Sequence, residues 1–250
     1  MLRVGMLLFC LFLVGCGTID NQVFQPPEPT YTVQYPFQYL PKSNPKIAAY
    51  YKFQPTKNIV FLISHGNGED IGQLKPWFDG FYSQGYSVLA YDYTGYGQSL
   101  GEPSEEYTYK NIEDAYQFLL LEGFKPHQIF LIGRSLGSGP SCYLGEKESV
   151  GGIALQGAFT SVYRIYTRWG MIPNDYYPNI RRIQNINCPT LIMHGQSDEI
   201  IPFYHAEQLY ELSPAKQKFY YWPRHVGHND VYLKSEKQYW IALKKLINSK

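Results

Sequence analysis

The residues best suited to chemistry are Gly133-Arg134-Ser135-Leu136-Gly137, a serine with a glycine two positions to either side, directly after the apolar run Gln128 to Ile132. A serine on a sharp strand-to-helix turn has a strained backbone and an exposed hydroxyl, which is the setting of a nucleophile elbow. The flanking glycines let strand and helix pack that closely. The pentapeptide alone is a weak sign, and the strand before it gives it weight. A hydroxyl is a poor nucleophile until a base takes its proton, and that base needs an acid partner to fix its tautomer.

Candidates for both partners lie downstream. His194-Gly195-Gln196-Ser197-Asp198-Glu199 leaves the apolar run Thr190 to Met193, which puts Asp198 in a loop at a strand's carboxyl end. Val226-Gly227-His228-Asn229-Asp230 follows Lys218 to Trp222 in the same way. The order serine, acid, histidine makes Asp198 and His228 the natural pair for Ser135. Asp92, Asp175, Glu199 and Asp230 are rival carboxylates, although Asp92 precedes the serine and Asp230 reads as the start of the last helix. His225 is the rival imidazole. Acyl chemistry also needs donors aimed at a developing oxyanion. The backbone amide of Leu136 supplies one, and Ser64-His65-Gly66-Asn67-Gly68, which follows Asn58 to Ser64, supplies a second at Asn67. The scheme calls for no metal or cofactor.

These residues need strand ends to hold them. Ile47 to Phe53, Asn58 to Ser64, Tyr86 to Tyr91, Gln128 to Ile132, Gly152 to Leu155, Thr190 to Met193 and Lys218 to Trp222 read as strands alternating with amphipathic stretches. That pattern predicts an α/β fold, a mostly parallel sheet flanked by helices. Glu105 to Leu121 reads as a helix with Ser104 at its N-cap, and a final helix is expected from about Asp230. In such open sheets, functional residues gather at the carboxyl ends of strands.

The chain of 250 residues fits one domain, with 44% hydrophobic and 17% charged residues, the usage of a packed globular protein. Lys and Arg number 22 against 21 Asp and Glu, so the net charge of +1 gives no field that would favour nucleic acid as a partner. The 24 tyrosines suit half-buried surfaces and pocket walls.

Met1-Leu2-Arg3 and the apolar run Val4 to Val14 have the form of a secretion signal, and Leu13-Val14-Gly15-Cys16 resembles the lipobox of bacterial lipoproteins. The resemblance implies a signal peptide over residues 1–15, acylation of Cys16 and attachment to a membrane. The implied place is the bacterial cell envelope, facing out of the cytoplasm, on the periplasmic face of the outer membrane if the cell is Gram-negative. Residues 16–45, dense in proline, read as a lipidated tether, with Tyr31 to Leu40 able to serve as an edge strand, and residues 46–250 as the catalytic domain. Cys142 and Cys188 remain, and could pair in an oxidising compartment.

His65-Gly66-Asn67-Gly68-Glu69-Asp70, Tyr91-Asp92-Tyr93-Thr94-Gly95-Tyr96-Gly97-Gln98-Ser99, Gly133 to Gly137, Pro189 to Asp198 and Gly227-His228-Asn229-Asp230 occur together in order. The chain from about Ile59 onward thus resembles the α/β-hydrolase superfamily, and within it the branch holding eukaryotic protein depalmitoylases and related bacterial hydrolases. The resemblance implies an α/β-hydrolase fold, Ser135, Asp198 and His228 as a triad, and the Asn67 and Leu136 amides as an oxyanion hole. It also implies that the Asp92 to Ser99 loop is mainly architectural. The segment before Pro189 is short, so no separate cap domain is expected. Its Phe159, Tyr163, Tyr166, Trp169, Met171, Tyr176 and Tyr177 could wall an acyl pocket or simply pack as core and lid. Arg134 and Arg164 could attract an anionic substrate group or form structural ion pairs.

The function expected is hydrolysis of a small acyl-ester or thioester substrate through an acyl-enzyme. The alternatives are a small-peptide or amide hydrolase with the same triad, and a noncatalytic envelope lipoprotein.

Overall fold

The computed structural model describes residues 23–167 and 175–249. Cys16 and the signal-like run lie outside the described residues, as do Trp169 and Met171. Eight strands form one sheet: β1 (Phe37–Tyr39), β2 (Ala48–Lys52), β3 (Val60–Ser64), β4 (Ser87–Tyr91), β5 (Ile129–Arg134), β6 (Gly152–Gln156), β7 (Thr190–Met193) and β8 (Lys218–Tyr221). Their spatial order is β1-β2-β4-β3-β5-β6-β7-β8. β1 and β2 pair antiparallel, β2 meets β4 antiparallel, and β3 through β8 run parallel. The chain runs from β3 outward to β4 and then returns across β3 to β5. The strand order therefore reverses beside β3, and the crevice at the carboxyl ends of β3 and β5 is where such sheets bind ligands.

The period-2 rule explains why β3 to β7 are continuous apolar runs. Val60, Leu62, Leu131, Ile153, Leu155 and Ile192 face one core, while Phe61, Ile63, Phe130, Ile132, Leu191 and Met193 face the other. The first core is covered by α2 (Glu105–Leu121) through Ile112, Ala115 and Leu119, and by α3 (Ser138–Lys147) and a later helix, Tyr204–Leu212. The second is covered by α1 (Lys75–Ser83) through Trp77, Phe78 and Phe81, and by the last helix, Glu236–Ile247, through Trp240, Leu243 and Leu246. Each such side chain buried from water contributes about 1.5–3 kcal/mol, so the two layers hold the sheet flat side by flat side and fix its strand ends. The helix over Glu105–Leu121 begins as its sequence predicts, with the Ser104 hydroxyl accepting from the Tyr107 amide at 3.2 Å.

Two expectations change. The last helix begins at Glu236 rather than near Asp230, because residues 231–234 form turns and the Ser235 hydroxyl donates to the Val231 carbonyl at 2.6 Å, competing with continuous helical bonding. The described part of the proline-dense stretch, from Val23, lies against the domain rather than standing off as a tether. Phe24 is 3% exposed in the first core, Thr30 bonds Asp70 through both its amide and its hydroxyl, and Tyr31 donates to Asp92 at 2.6 Å. Proline blocks helix there but not packing, and the aromatic residues between the prolines supply apolar surface to bury. The edge strand foreseen in Tyr31 to Leu40 is β1.

Candidate active site

Ser135 follows β5 directly, at a φ of +51°, in the left-handed region that a non-glycine residue enters at a cost of about 1–3 kcal/mol. Residues 135–137 form one tight turn before α3. The turn is this sharp because glycine stands at both ends of the pentapeptide. A Cβ on Gly133 would lie 2.6 Å from the Gly137 carbonyl oxygen, and one on Gly137 would lie 2.1 Å from that of Ser64. The elbow is thereby pressed against the end of β3, which brings Leu136 beside the loop that holds Asn67.

His228 Nε2 stands 3.0 Å from Ser135 Oγ, and His228 Nδ1 stands 2.7 Å from Asp198 Oδ2. A carboxylate only accepts hydrogen bonds, so this arrangement places the proton on Nδ1 and leaves Nε2 free to take one from the serine. Asp198 Oδ1 accepts from the amides of Ile200 and Ile201 at 2.9 and 2.7 Å, and His194 Nε2, which donates to the Ile201 carbonyl at 2.9 Å, lies 3.1 Å from Oδ2. Burial pushes the Asp198 pKa up, but the two imidazoles and the Ile201 amide outweigh it and hold the carboxyl well below the usual carboxylate range. The acid is therefore ionised at neutral pH, the state that can accept the His228 Nδ1 proton.

The rival residues are occupied elsewhere. Asp92 accepts from the Ile71 amide and the Tyr31 hydroxyl, with His65 Nε2 lying 3.2 Å away, which makes it a brace between loops. Asp175 caps the Tyr163 amide, Asp230 pairs with Lys234, and His225 is exposed. Glu199 accepts from the His228 backbone amide at 3.3 Å and so supports the histidine from behind.

Asn67 leaves the end of β3 with its side chain fully engaged. Nδ2 donates to the Val23 carbonyl at 2.7 Å, and Oδ1 accepts from the Gln25 amide at 2.9 Å and from the Tyr96 hydroxyl. Its own backbone N–H has no partner among the described residues. The Leu136 amide lies in the first turn after β5, where N–H groups lack an intrahelical acceptor. Both residues follow strands at the same end of the sheet as Ser135.

The aromatic segment divides. Phe159 and Tyr177 are buried core, with Tyr177 bonded to Thr108 at 2.9 Å, whereas Tyr166 is 83% exposed. The segment carries only two short helices, α4 (Val162–Thr167) and α5 (Asn179–Arg182), and no separate cap among the described residues. Two further helices follow among the described residues, α6 (Tyr204–Leu212) and α7 (Glu236–Ile247). Arg164 donates to Gln208 at 3.1 Å, and Arg134 pairs with Glu69. Both arginines serve structural contacts. Cys142 and Cys188 are free thiols.

Sequence reasoning missed Val23 to Gln25, Glu69, His194 and Asn229 at this site. His194 opens the loop that ends in Asp198 at a spacing of four, and that was the one local signal for it. A cleft of about 530 Å³ between Pro29–Phe37 and Lys75 includes none of Ser135, Asp198 and His228. It is a surface groove beside the N-terminal segment, apart from the Ser135, His228 and Asp198 cluster at the strand ends.

Comparison with known proteins agrees with this fold. The family described as serine aminopeptidase, S33, matches residues 54–181. The chain is 31% identical to alpha/beta hydrolase domain-containing protein aho-3 of Caenorhabditis elegans, over 90% of this chain and 77% of that protein. It is 32% identical to alpha/beta hydrolase domain-containing protein 17B of Homo sapiens, over 83% and 72%. Its fold superposes on that of an esterase of Pyrococcus furiosus with a TM-score of 0.74 at 13% identity, over 90% of this chain and 98% of that one. The chain therefore belongs to the α/β-hydrolase family, beside the alpha/beta hydrolase domain-containing proteins, and is a hydrolase.

Proposed function

We propose that this hydrolase cleaves carboxylic ester or thioester bonds through an acyl-enzyme on Ser135. The observation that carries the reading is the unbroken relay from Ser135 Oγ to His228 Nε2 at 3.0 Å and from His228 Nδ1 to Asp198 at 2.7 Å. As Oγ bonds to the carbonyl carbon, Nε2 takes its proton and the carbonyl π electrons move onto oxygen, where the Asn67 and Leu136 amides donate to it. The tetrahedral adduct collapses, and the leaving alkoxide or thiolate takes the proton from His228. Water then loses a proton to the same nitrogen and attacks the acyl carbon. A second collapse releases the carboxylic acid and returns the proton to Ser135. Asp198 orients the ring and stabilises the imidazolium at each stage.

Amide hydrolysis is the second reading, favoured by the description of the matched family as a serine aminopeptidase. We further infer a lipid anchor at Cys16 that holds the enzyme on a membrane of the bacterial envelope, with a substrate that is a small acyl ester or thioester. Side-by-side assays of short p-nitrophenyl esters, acyl-thioesters and aminoacyl-anilides test the substrate class. Fluorophosphonate labelling that persists in Ser135→Ala would sink the mechanism, and the anchor fails if mass spectrometry finds an unmodified Cys16.

A further inference from the structure

We propose that Arg134 is a positioning residue for the reaction at Ser135, because its guanidinium ties the loop of Asn67 to the loop of His228. The inference rests on the acyl-transfer reading above. Arg134 is 8% exposed and occupies the last position of β5, next to the nucleophile. Its Nη1 donates to Glu69 Oε1, and its Nη2 donates to Asn229 Oδ1 at 2.7 Å. Glu69 uses its other oxygen, Oε2, to accept the Gly66 amide at 2.9 Å, one residue before the oxyanion donor. Asn229 directly follows the general base. One cation therefore joins the nucleophile's strand, the oxyanion loop and the histidine loop.

The two outer members are not joined to each other by the apolar core. Gly66, Asn67 and Glu69 leave β3, Asn229 follows β8, and β5, β6 and β7 stand between those strands. The guanidinium's rigid fork reaches both, which a lysine's single ammonium does not do with fixed geometry. Buried ion pairs are a weak source of stability, because desolvation offsets attraction, so the pair's chief consequence is geometric. Acyl transfer depends on just that geometry, since the oxyanion donors and Nε2 must close on one carbonyl together.

The test compares Arg134→Gln, Arg134→Lys, Glu69→Gln and the double variant Glu69→Gln/Arg134→Gln in the full chain, with p-nitrophenyl butyrate as substrate. A displaced donor or base costs on the order of 10- to 100-fold in kcat with KM changed by less than about threefold, and the double variant should be no worse than Arg134→Gln because the residues act as one unit. Arg134→Lys should recover part of the loss. Asp79→Asn is the control: Asp79 binds Tyr50, Lys52 and Lys75 far from Ser135, so its loss should lower the Tm and leave kcat alone. A second readout needs no substrate: the Nδ1 proton that His228 shares with Asp198 should exchange with water faster in Arg134→Gln than in the wild type. A kcat within about twofold of wild type in Arg134→Gln, multiplicative losses in the double variant, or an unchanged exchange rate would each overturn the positioning role. If the wild type turns over no ester while its exchange rate still responds to Arg134, the substrate reading fails and the positioning role stands.

Discussion

On one side of Ser135, two buried oxygens of Asp198 gather the rings of His228 and His194 and the amides of Ile200 and Ile201. On the other side, the donors we propose are main-chain N–H groups, and the loop that carries Asn67 is held by its own side chain, by Glu69 and by the packed segment that includes Val23. The base side is a compact electrostatic device made within two neighbouring loops. The oxyanion side is a geometric device assembled from parts up to 44 residues apart in sequence. The difference teaches where each side is vulnerable: the first fails when a charge or a ring nitrogen is lost, the second when a contact far along the chain lets a loop turn.

The largest expected effect falls on the shared centre. Ser135→Ala and His228→Ala should each lower kcat/KM by about 10⁴- to 10⁶-fold, and the double variant should be no worse, because the pair acts as a unit. Steady-state assays with a p-nitrophenyl ester check this, and additive losses would mean that the two residues do not share a step. Asp198→Asn should cost about 10³- to 10⁴-fold by misplacing the His228 proton.

The same carboxylate gives the base side a pH signature. The folded-state pKa of Asp198 is depressed, so its pairing contributes stability that is fully present above about pH 4 and is lost as pH falls through the lower folded value. Thermal unfolding between pH 5 and pH 2 should therefore show a shallower acid decline in Asp198→Asn than in the wild type. Equal slopes would show that the carboxylate is not selectively stabilised in the fold.

The oxyanion side should yield more gently. Asn67→Ala keeps the backbone N–H and removes only what aims it, so kcat should fall about tenfold rather than the 10²- to 10³-fold that follows loss of a donor. Phe24→Ala removes a core ring that lies edge-on to Tyr176 and Tyr177 at 6.5 and 6.4 Å. It should destabilise the fold by about 3–5 kcal/mol, read by urea denaturation, with a kcat loss no larger than that of Asn67→Ala. If Phe24→Ala were instead neutral, the N-terminal segment would not be part of the site's support.

The smallest effect concerns the thiols. Burial pushes the Cys188 pKa up to about 12 and that of Cys142 higher still, so both remain protonated and poorly nucleophilic at pH 8. Iodoacetamide should leave both unlabelled in the folded protein and label both in urea.

Much of the base side was legible in the sequence because its chemistry lives in side-chain types at strand ends. Ser135 between two glycines after an apolar run, Asp198 after Thr190 to Met193, and His228 after Lys218 to Trp222 are local patterns, and a parallel sheet lines up strand ends by construction. The fold was legible for the same reason: continuous apolar strands demand cover on both faces. The boundaries that moved were set by contacts that periodicity does not record. β5 runs on to Arg134 because Gly133 and Arg134 find partners in Leu155 and Gln156, and α7 starts late because Ser235 turns back on Val231.

What the sequence by itself determined is the set of reactive groups, their order and the sheet that carries them, since residue type and period follow directly from chemistry and from hydrogen-bond geometry. Only the tertiary structure decided that His194 shares the Asp198 carboxylate, that Arg134 reaches both Glu69 and Asn229, and that Val23 and Gln25 fasten Asn67. The contacts of Arg134 and Asn67 join residues from separate segments, and their distances depend on how whole strands and helices pack rather than on local spacing, whereas His194 and Asp198 share one loop whose turn brings them together.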